Sequence, residues 1–277
     1  MTLFDYLSMS YVQYAIIVGM LTALCAGLVG VPLVLKRYSM MGMGLSNVAF
    51  AGIALGAIIG LVDTIIIVLP LTIIVAVFLL TSRNSKIKAD ATIAMITVGT
   101  LAFGYFLLNT FPVSSNLAGD VCVALFGSTQ ILALRTADIW VSIGMAILVL
   151  VFFVLFYNKI FATSFDPDFV KATGGRAKIY EILIAIVIAI VVALSMRLVG
   201  SLLTAALLIF PALSAMRVFK DFRMVVIASA IIAVVCAFIG MIVCIMWPGA
   251  PVGATIVMVN ILVFMIMYIA GMVVRRI

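Results

Sequence analysis

Long apolar runs, broken by short clusters of charge, Gly and Pro, set the elements of this chain. A helix crossing the hydrocarbon core needs about 20 apolar residues. Nine segments approach that length: 14–35, 42–60, 64–82, 91–109, 137–158, 180–196, 199–217, 224–246 and 252–273. The expected fold class is all-α, a polytopic integral membrane helical bundle of about 8–9 transmembrane helices forming one domain over 1–277. The weakest segment is 112–136, where Leu117 to Leu134 is apolar enough to dip into the membrane. A full crossing there would carry Lys159 to Lys178 outside, so an extracellular loop with a re-entrant or surface helix is expected instead.

One run differs from the others. In Lys36 to Gly60, KRYSMMGMGLSNVAFAGIALGAIIG, a basic turn leads into a helix of mixed small and polar residues. Gly52, Gly56 and Gly60 recur every four residues and should line a face that a neighbouring helix approaches closely. Met43 and Asn47 are also four apart, and Asn47 lies roughly 140° around the helix from Gly52. If the glycines face a packed neighbour, Met43 and Asn47 can face something else, and a transport path is the reading that gives them a purpose.

Two stretches outside the apolar runs are more than connectors. FATSFDPDFVKATGGRAK encodes a short helix: Asp166 as cap, Pro167 at the first position, Asp168 and Lys171 matched to the dipole, Gly174 at the end. Phe165 and Val170 have the spacing of a hydrophobic staple. A helix of about seven residues is marginal alone, so such encoding suggests docking, with a well-capped linker as the plain alternative. The outer loop FPVSSNLAGDVCVALFGSTQILALRTADIW carries Asp120, Arg135 and Asp138, and long ordered loops commonly serve as lids or binding surfaces. In 199–217, Pro211 frees a backbone carbonyl, giving either a kink or a gating hinge.

Composition narrows the function. With 68% hydrophobic and 9% charged residues and a mean hydropathy of +1.47, no soluble domain is in view. The net charge of +7 belongs beside lipid headgroups rather than nucleic acid. Threading the nine segments with the amino terminus outside and the carboxyl terminus cytoplasmic leaves only Arg135 and Arg197, of 16 Lys and Arg, outside. No cleavable leader precedes the first span, so residue 1 is read as mature. Cys25, Cys122, Cys236 and Cys244 form no CxxC and read as small apolar filler. The chain has no His, which excludes imidazole ligands and His-based catalysis. Asp63, Asp90, Asp138 and Glu181 sit at segment ends, no nucleophile–base constellation occurs, and an enzyme is not expected. A P-loop is missing, since no Gly-Lys dipeptide occurs, so ATP would be hydrolysed on another subunit. No internal repeat is visible, which disfavours secondary transporters built on duplicated halves.

Taken in order, LVLKRYSMMGMGLSNVAFAGIALG, LFGSTQILALRTADIW, FDPDFVKATGG, MRLVGSLLTAALLIFPALSAMRV and PGAPVGATIVMV resemble the permease subunits of bacterial zinc and manganese ABC importers. The resemblance covers nearly the whole chain. It implies a multi-pass protein of the prokaryotic plasma membrane, without a cofactor of its own. Its partners would be two ATP-binding subunits, an extracellular metal-binding protein, and a second copy or another permease. It places Asp166, Pro167, Phe169 and Gly174 in the cytoplasmic segment that contacts the ATPase, and Asp120, Arg135 and Asp138 on the side where the binding protein docks. The match breaks at one point. Where the family typically has Asp after the Met-Gly pair and His four residues later, a pair associated with the metal in the membrane, this chain has Met43 and Asn47. Losing a carboxylate and an imidazole lowers affinity for zinc or manganese. Three readings follow: a weakly binding path with selection left to the binding protein, altered cargo, or a non-identical permease that supplies the missing ligands. Altered cargo means copper(I) at Met40, Met41 and Met43, a metal complex, or a small organic ligand. A membrane scaffold that keeps the fold without transporting is the alternative from another class.

Overall fold

The computed structural model describes residues 10–36, 38–60, 64–81, 89–111, 136–166, 170, 172, 177–247 and 250–274, and among these are nine α-helices and no strand. In chain order they are α1 (Ser10–Leu35), α2 (Ser39–Ile59), α3 (Ile65–Thr81), α4 (Ala89–Thr110), α5 (Thr136–Phe165), α6 (Ala177–Val199), α7 (Ser201–Val218), α8 (Phe222–Met246) and α9 (Val252–Val274). Each falls on one of the expected apolar runs. Eight are long and apolar enough to cross a membrane, and α3, with 17 residues, stands at the low edge of the spanning range. The segment 112–136 lies outside the described residues apart from Thr136, the first residue of α5.

The centre is built from α1, α2, α6 and α7. In α1, α2 and α6, 67% of the apolar stretch is buried, against 22% in α4 and 17% in α9, which therefore form the outside. α1 packs on α5, α7 and α8, α2 packs on α3, α4 and α7, and α6 touches both groups through α1 and α3. Lipid is as apolar as a neighbouring helix, so close approach must come from small residues. At Gly30 a Cβ would land on the Leu208 carbonyl of α7, and at Gly27 it would meet Ala233 Cβ of α8 at 2.9 Å. Across the latter contact Ser229 Oγ donates to Gly27 O at 2.8 Å, satisfying a hydroxyl where no water reaches.

Contacts between helix ends fix which ends share a side. Lys36 and Glu181, 3.3 Å apart, join the end of α1 to the start of α6. Phe165 and Phe222, with ring centroids 6.1 Å apart, join the end of α5 to the start of α8. Arg217 lies 4.7 Å over the Tyr268 ring, joining the ends of α7 and α9. Asp138 and Arg197, 3.9 Å apart, join the start of α5 to the end of α6. All four contacts agree with helices that alternate in direction.

Two details depart from the sequence reading. Gly60 is not the third member of a helical stripe but the C-cap of α2, at φ +75°, where a Cβ would meet nothing within 4 Å. That left-handed conformation favours glycine for backbone reasons, not packing ones. α5 runs to Phe165 rather than stopping near 158. Hydropathy fades at Asn158 and Lys159, but Tyr157, Phe161 and Phe165 repeat every four residues and pack on Phe222, with centroids at 5.5, 5.3 and 6.1 Å. In α7 the helix continues through the buried Pro211. Gly200, φ +97°, is the single residue between α6 and α7.

Candidate transport path and coupling site

Asn47 lies eight residues into α2, about 12 Å along its axis, and is only 6% exposed. Its Nδ2 donates to Thr97 O of α4 at 3.1 Å, while the Thr97 hydroxyl donates back to Ile93 O at 2.7 Å. Gly44 lies on the same side, since a Cβ there would stand 3.0 Å from Thr97 Oγ1. Gly52 and Gly56 lie on another, against Val68 Cα at 3.2 Å and Thr64 Cγ2 at 3.0 Å. The angular offset read from the sequence thus separates two packed neighbours, α4 and the start of α3. With Nδ2 engaged, the amide oxygen has no hydrogen bond among the described residues.

Met43, one turn earlier, is 44% exposed, and its carbonyl accepts Ser46 Oγ at 2.9 Å. Met40 is exposed as well, but Met41 is buried in the core. Among the described residues no group of three His, Cys, Asp or Glu could hold a metal ion. Cys25 and Cys236 are buried and Cys244 half-buried, all three as free thiols; Cys122 lies outside the described residues.

At the end of α5, Asp166 is exposed and its N–H donates to Ala162 O at 3.0 Å. Its carbonyl accepts the Val170 N–H at 3.3 Å, the first bond that an N-cap residue's carbonyl makes. Pro167, Phe169 and Gly174 lie outside the described residues. Val170 is buried, whereas Phe165, its expected staple partner, is exposed and pairs with Phe161 at 4.9 Å and with Phe222. Lys159 over the Tyr180 ring at 5.8 Å and Arg223 over Tyr157 at 5.6 Å add ties from α5 to α6 and α8. The segment that begins at Asp166 therefore issues from a rigid aromatic junction of three helices.

At the other end, Asp120 and Arg135 lie outside the described residues, and Asp138 is paired with Arg197. Sequence reasoning had placed both charges on one side without joining them. It also missed the Lys36–Glu181 pair, whose side chains are 10% and 20% exposed, because the partners are 145 positions apart.

The profile of the ABC 3 transport family matches residues 8–271. The chain belongs to the ABC 3 transport family. Within reach of it, the chain is 30% identical over 261 residues to the manganese import system permease protein ScaB of Streptococcus gordonii, covering 93% of this chain and 90% of that one. It is 27% identical to the manganese transport system membrane protein MntC of Halalkalibacterium halodurans, covering 91% and 85%. The structure of PsaBC from Streptococcus pneumoniae in complex with Fab matches with a TM-score of 0.84 at 27% identity, covering 96% of this chain and 94% of that one. As an ABC 3 family permease, the chain is a transport subunit and not an enzyme, and a multi-pass protein of the bacterial inner membrane.

Proposed function

We propose that this chain is the permease of an ATP-driven importer for manganese(II) or a related divalent transition metal such as zinc. The observation that carries the reading is the end-to-end similarity to manganese import permeases, 93% of this chain against 90% of ScaB from S. gordonii. An extracellular metal-binding protein hands the ion over at the side holding Asp120, Arg135 and Asp138. The ion passes Met43 and Asn47, with a second permease, identical or not, completing the path. A separate ATP-binding subunit drives the cycle by pressing on the segment of Asp166, Pro167, Phe169 and Gly174. The amino terminus is outside and the carboxyl terminus cytoplasmic.

The chemistry of the path supports a weak, oxygen-based contact. An amide oxygen is a hard neutral donor, of the class that suits manganese, and it lacks the charge that would trap the ion. A thioether adds little for a hard cation. Passage without tight binding is therefore the mode open to this α2, and discrimination falls to the binding protein. The test is ATP hydrolysis by the chain reconstituted in liposomes with its cognate ATPase and binding protein, scanned over zinc, manganese, iron(II) and copper(I). Stimulation by manganese or zinc is expected. Silence with all four from a demonstrably assembled complex, or stimulation by copper(I) alone, overturns the cargo reading.

A further inference from the structure

On the flank formed by α5 and α8, a groove of about 490 Å³ runs over α1. Leu28, Phe153 and Val226 form its floor and are buried, while Leu150, Val154 and Ile227 form its rims and are exposed. The lining is apolar along its length and polar at one end only, where Tyr157, Asn158 and Arg223 meet. From Leu150 to Asn158 the groove follows α5 for about 12 Å. α2 makes no extensive contact with α5 or α8, so the groove stands apart from Met43 and Asn47.

Two features of the polar end specify a negative charge. Arg223 stacks over Tyr157 at 5.6 Å and has no acidic partner among the described residues, and no acidic side chain lines the groove. Arg223 is also the second residue of α8, whose N-cap Asp221 makes no side-chain cap hydrogen bond. The exposed Asp221 carboxylate at that N-cap offsets the dipole, and the donors that accompany the guanidinium are the Tyr157 hydroxyl and the Asn158 amide lining the same end of the groove. An apolar trough within a membrane-spanning bundle that ends in a cation at the level of the helix termini has the charge and polarity of a lipid, head and tail together. Soluble anions would use the head and leave the trough empty.

We propose that this groove seats one anionic phospholipid, its acyl chain between α5 and α8 and its phosphate beside Arg223. The occupant bridges the two helices whose ends form the aromatic junction next to Asp166. Native mass spectrometry of the full chain, purified in mild detergent and titrated with phosphatidylglycerol or phosphatidylcholine, tests this. The expected result is a retained phosphatidylglycerol, with affinity falling about fivefold in Arg223→Gln, the weight of one basic residue at an anionic surface, and largely kept in Arg223→Lys. Val154→Trp, which fills the trough from its exposed rim, should abolish retention with the cation intact. Equal retention of the two lipids, indifference to both Arg223→Gln and Val154→Trp, or displacement of the lipid by millimolar inorganic phosphate would overturn the proposal. So would efficient disulfide cross-linking between two copies of a Val154→Cys variant in membranes, since a second chain would then own the groove. If a variant fails to fold, thermal stabilisation of the unmodified chain by phosphatidylglycerol over phosphatidylcholine decides alone, and its absence refutes the site.

Discussion

Phe222→Leu separates the aromatic junction from simple burial. Phe222 is 6% exposed and meets three rings, Tyr157 at 5.5 Å, Phe161 at 5.3 Å and Phe165 at 6.1 Å. Aromatic pairs contribute about 0.5–1.5 kcal/mol each beyond their buried area. The Phe165 ring is half open to its surroundings, and the three pairs share one residue, so low values apply and the sum is about 1.5 kcal/mol. Leucine keeps most of the volume and adds only a small cavity term. The assay is the apparent melting temperature of the importer in nanodiscs, together with the ratio of ATP hydrolysed to metal taken up. A lower melting temperature with a raised ratio is expected, because the junction connects the Asp166 segment to α8 and α6. Phe210→Leu is the control: it loses one pair, with Phe264 at 6.1 Å, on helices away from that junction, and should leave the ratio unchanged. An unchanged ratio in Phe222→Leu, with the expected loss of stability, would refute the idea that these rings transmit the stroke.

Three other expectations follow from the same packing. Gly30→Ala drives a Cβ into the backbone carbonyl of Leu208, which no side-chain rotation relieves, and should cost at least about 1–3 kcal/mol. Gly144→Ala, with nothing within 4 Å, should be neutral or stabilising, and thermal size-exclusion profiles of the two variants compare them directly. Lys36→Met leaves Glu181 half-buried without its cation and should destabilise by about 1–3 kcal/mol after allowance for solvent screening. Adding Glu181→Met should recover most of that loss in the same melting assay. Asn47→His replaces the amide with an imidazole, a nitrogen donor that zinc favours over an amide oxygen. On the proposed path, that variant should hold zinc longer and take it up more slowly than the parent, and unchanged uptake rates for both zinc and manganese would remove residue 47 from the path.

Much of the architecture is legible because a membrane simplifies the code. All nine helices coincide with apolar runs, since a backbone in hydrocarbon has few alternatives to a helix of spanning length. What hydropathy misses is whatever polarity does at helix ends. α5 outlasts its apolar run because aromatic side chains, not aliphatic ones, carry it from Asn158 to Phe165. The glycines at 52 and 56 were readable as a packing face, but Gly60 belongs to the next device, a left-handed cap, and the four-residue repeat alone does not tell the two apart. The sequence reading puts Lys36 with Glu181, and Asp138 with Arg197, on a common side, but pairing is a property of packing. At the candidate path, the residue types at 43 and 47 were legible, and the Thr97 carbonyl that fixes the Asn47 amide was not.

That hydrogen bond bears on the proposed path, where the resemblance to zinc and manganese permeases leads to the expectation of Asp and His at the positions of Met43 and Asn47. A histidine presents one acceptor nitrogen that competes with a proton, and an aspartate brings a full charge that a bare bundle must solvate. Asn47 has neither property: its donor is held by α4, its acceptor cannot be protonated near neutrality, and it stays neutral whether or not an ion is present. On the proposed path, a divalent ion between such groups would be stabilised by dipoles only, in a region where the described spans contribute no carboxylate cluster. Its dwell time there must be short, because little free energy is lost on leaving. On the proposed function, short dwell would leave selection to the hand-over step and the ATP-driven stroke rather than to this helix. The junction that leads from α5 into the Asp166 segment is the more densely tied of the two candidate sites, with five aromatic rings against one amide.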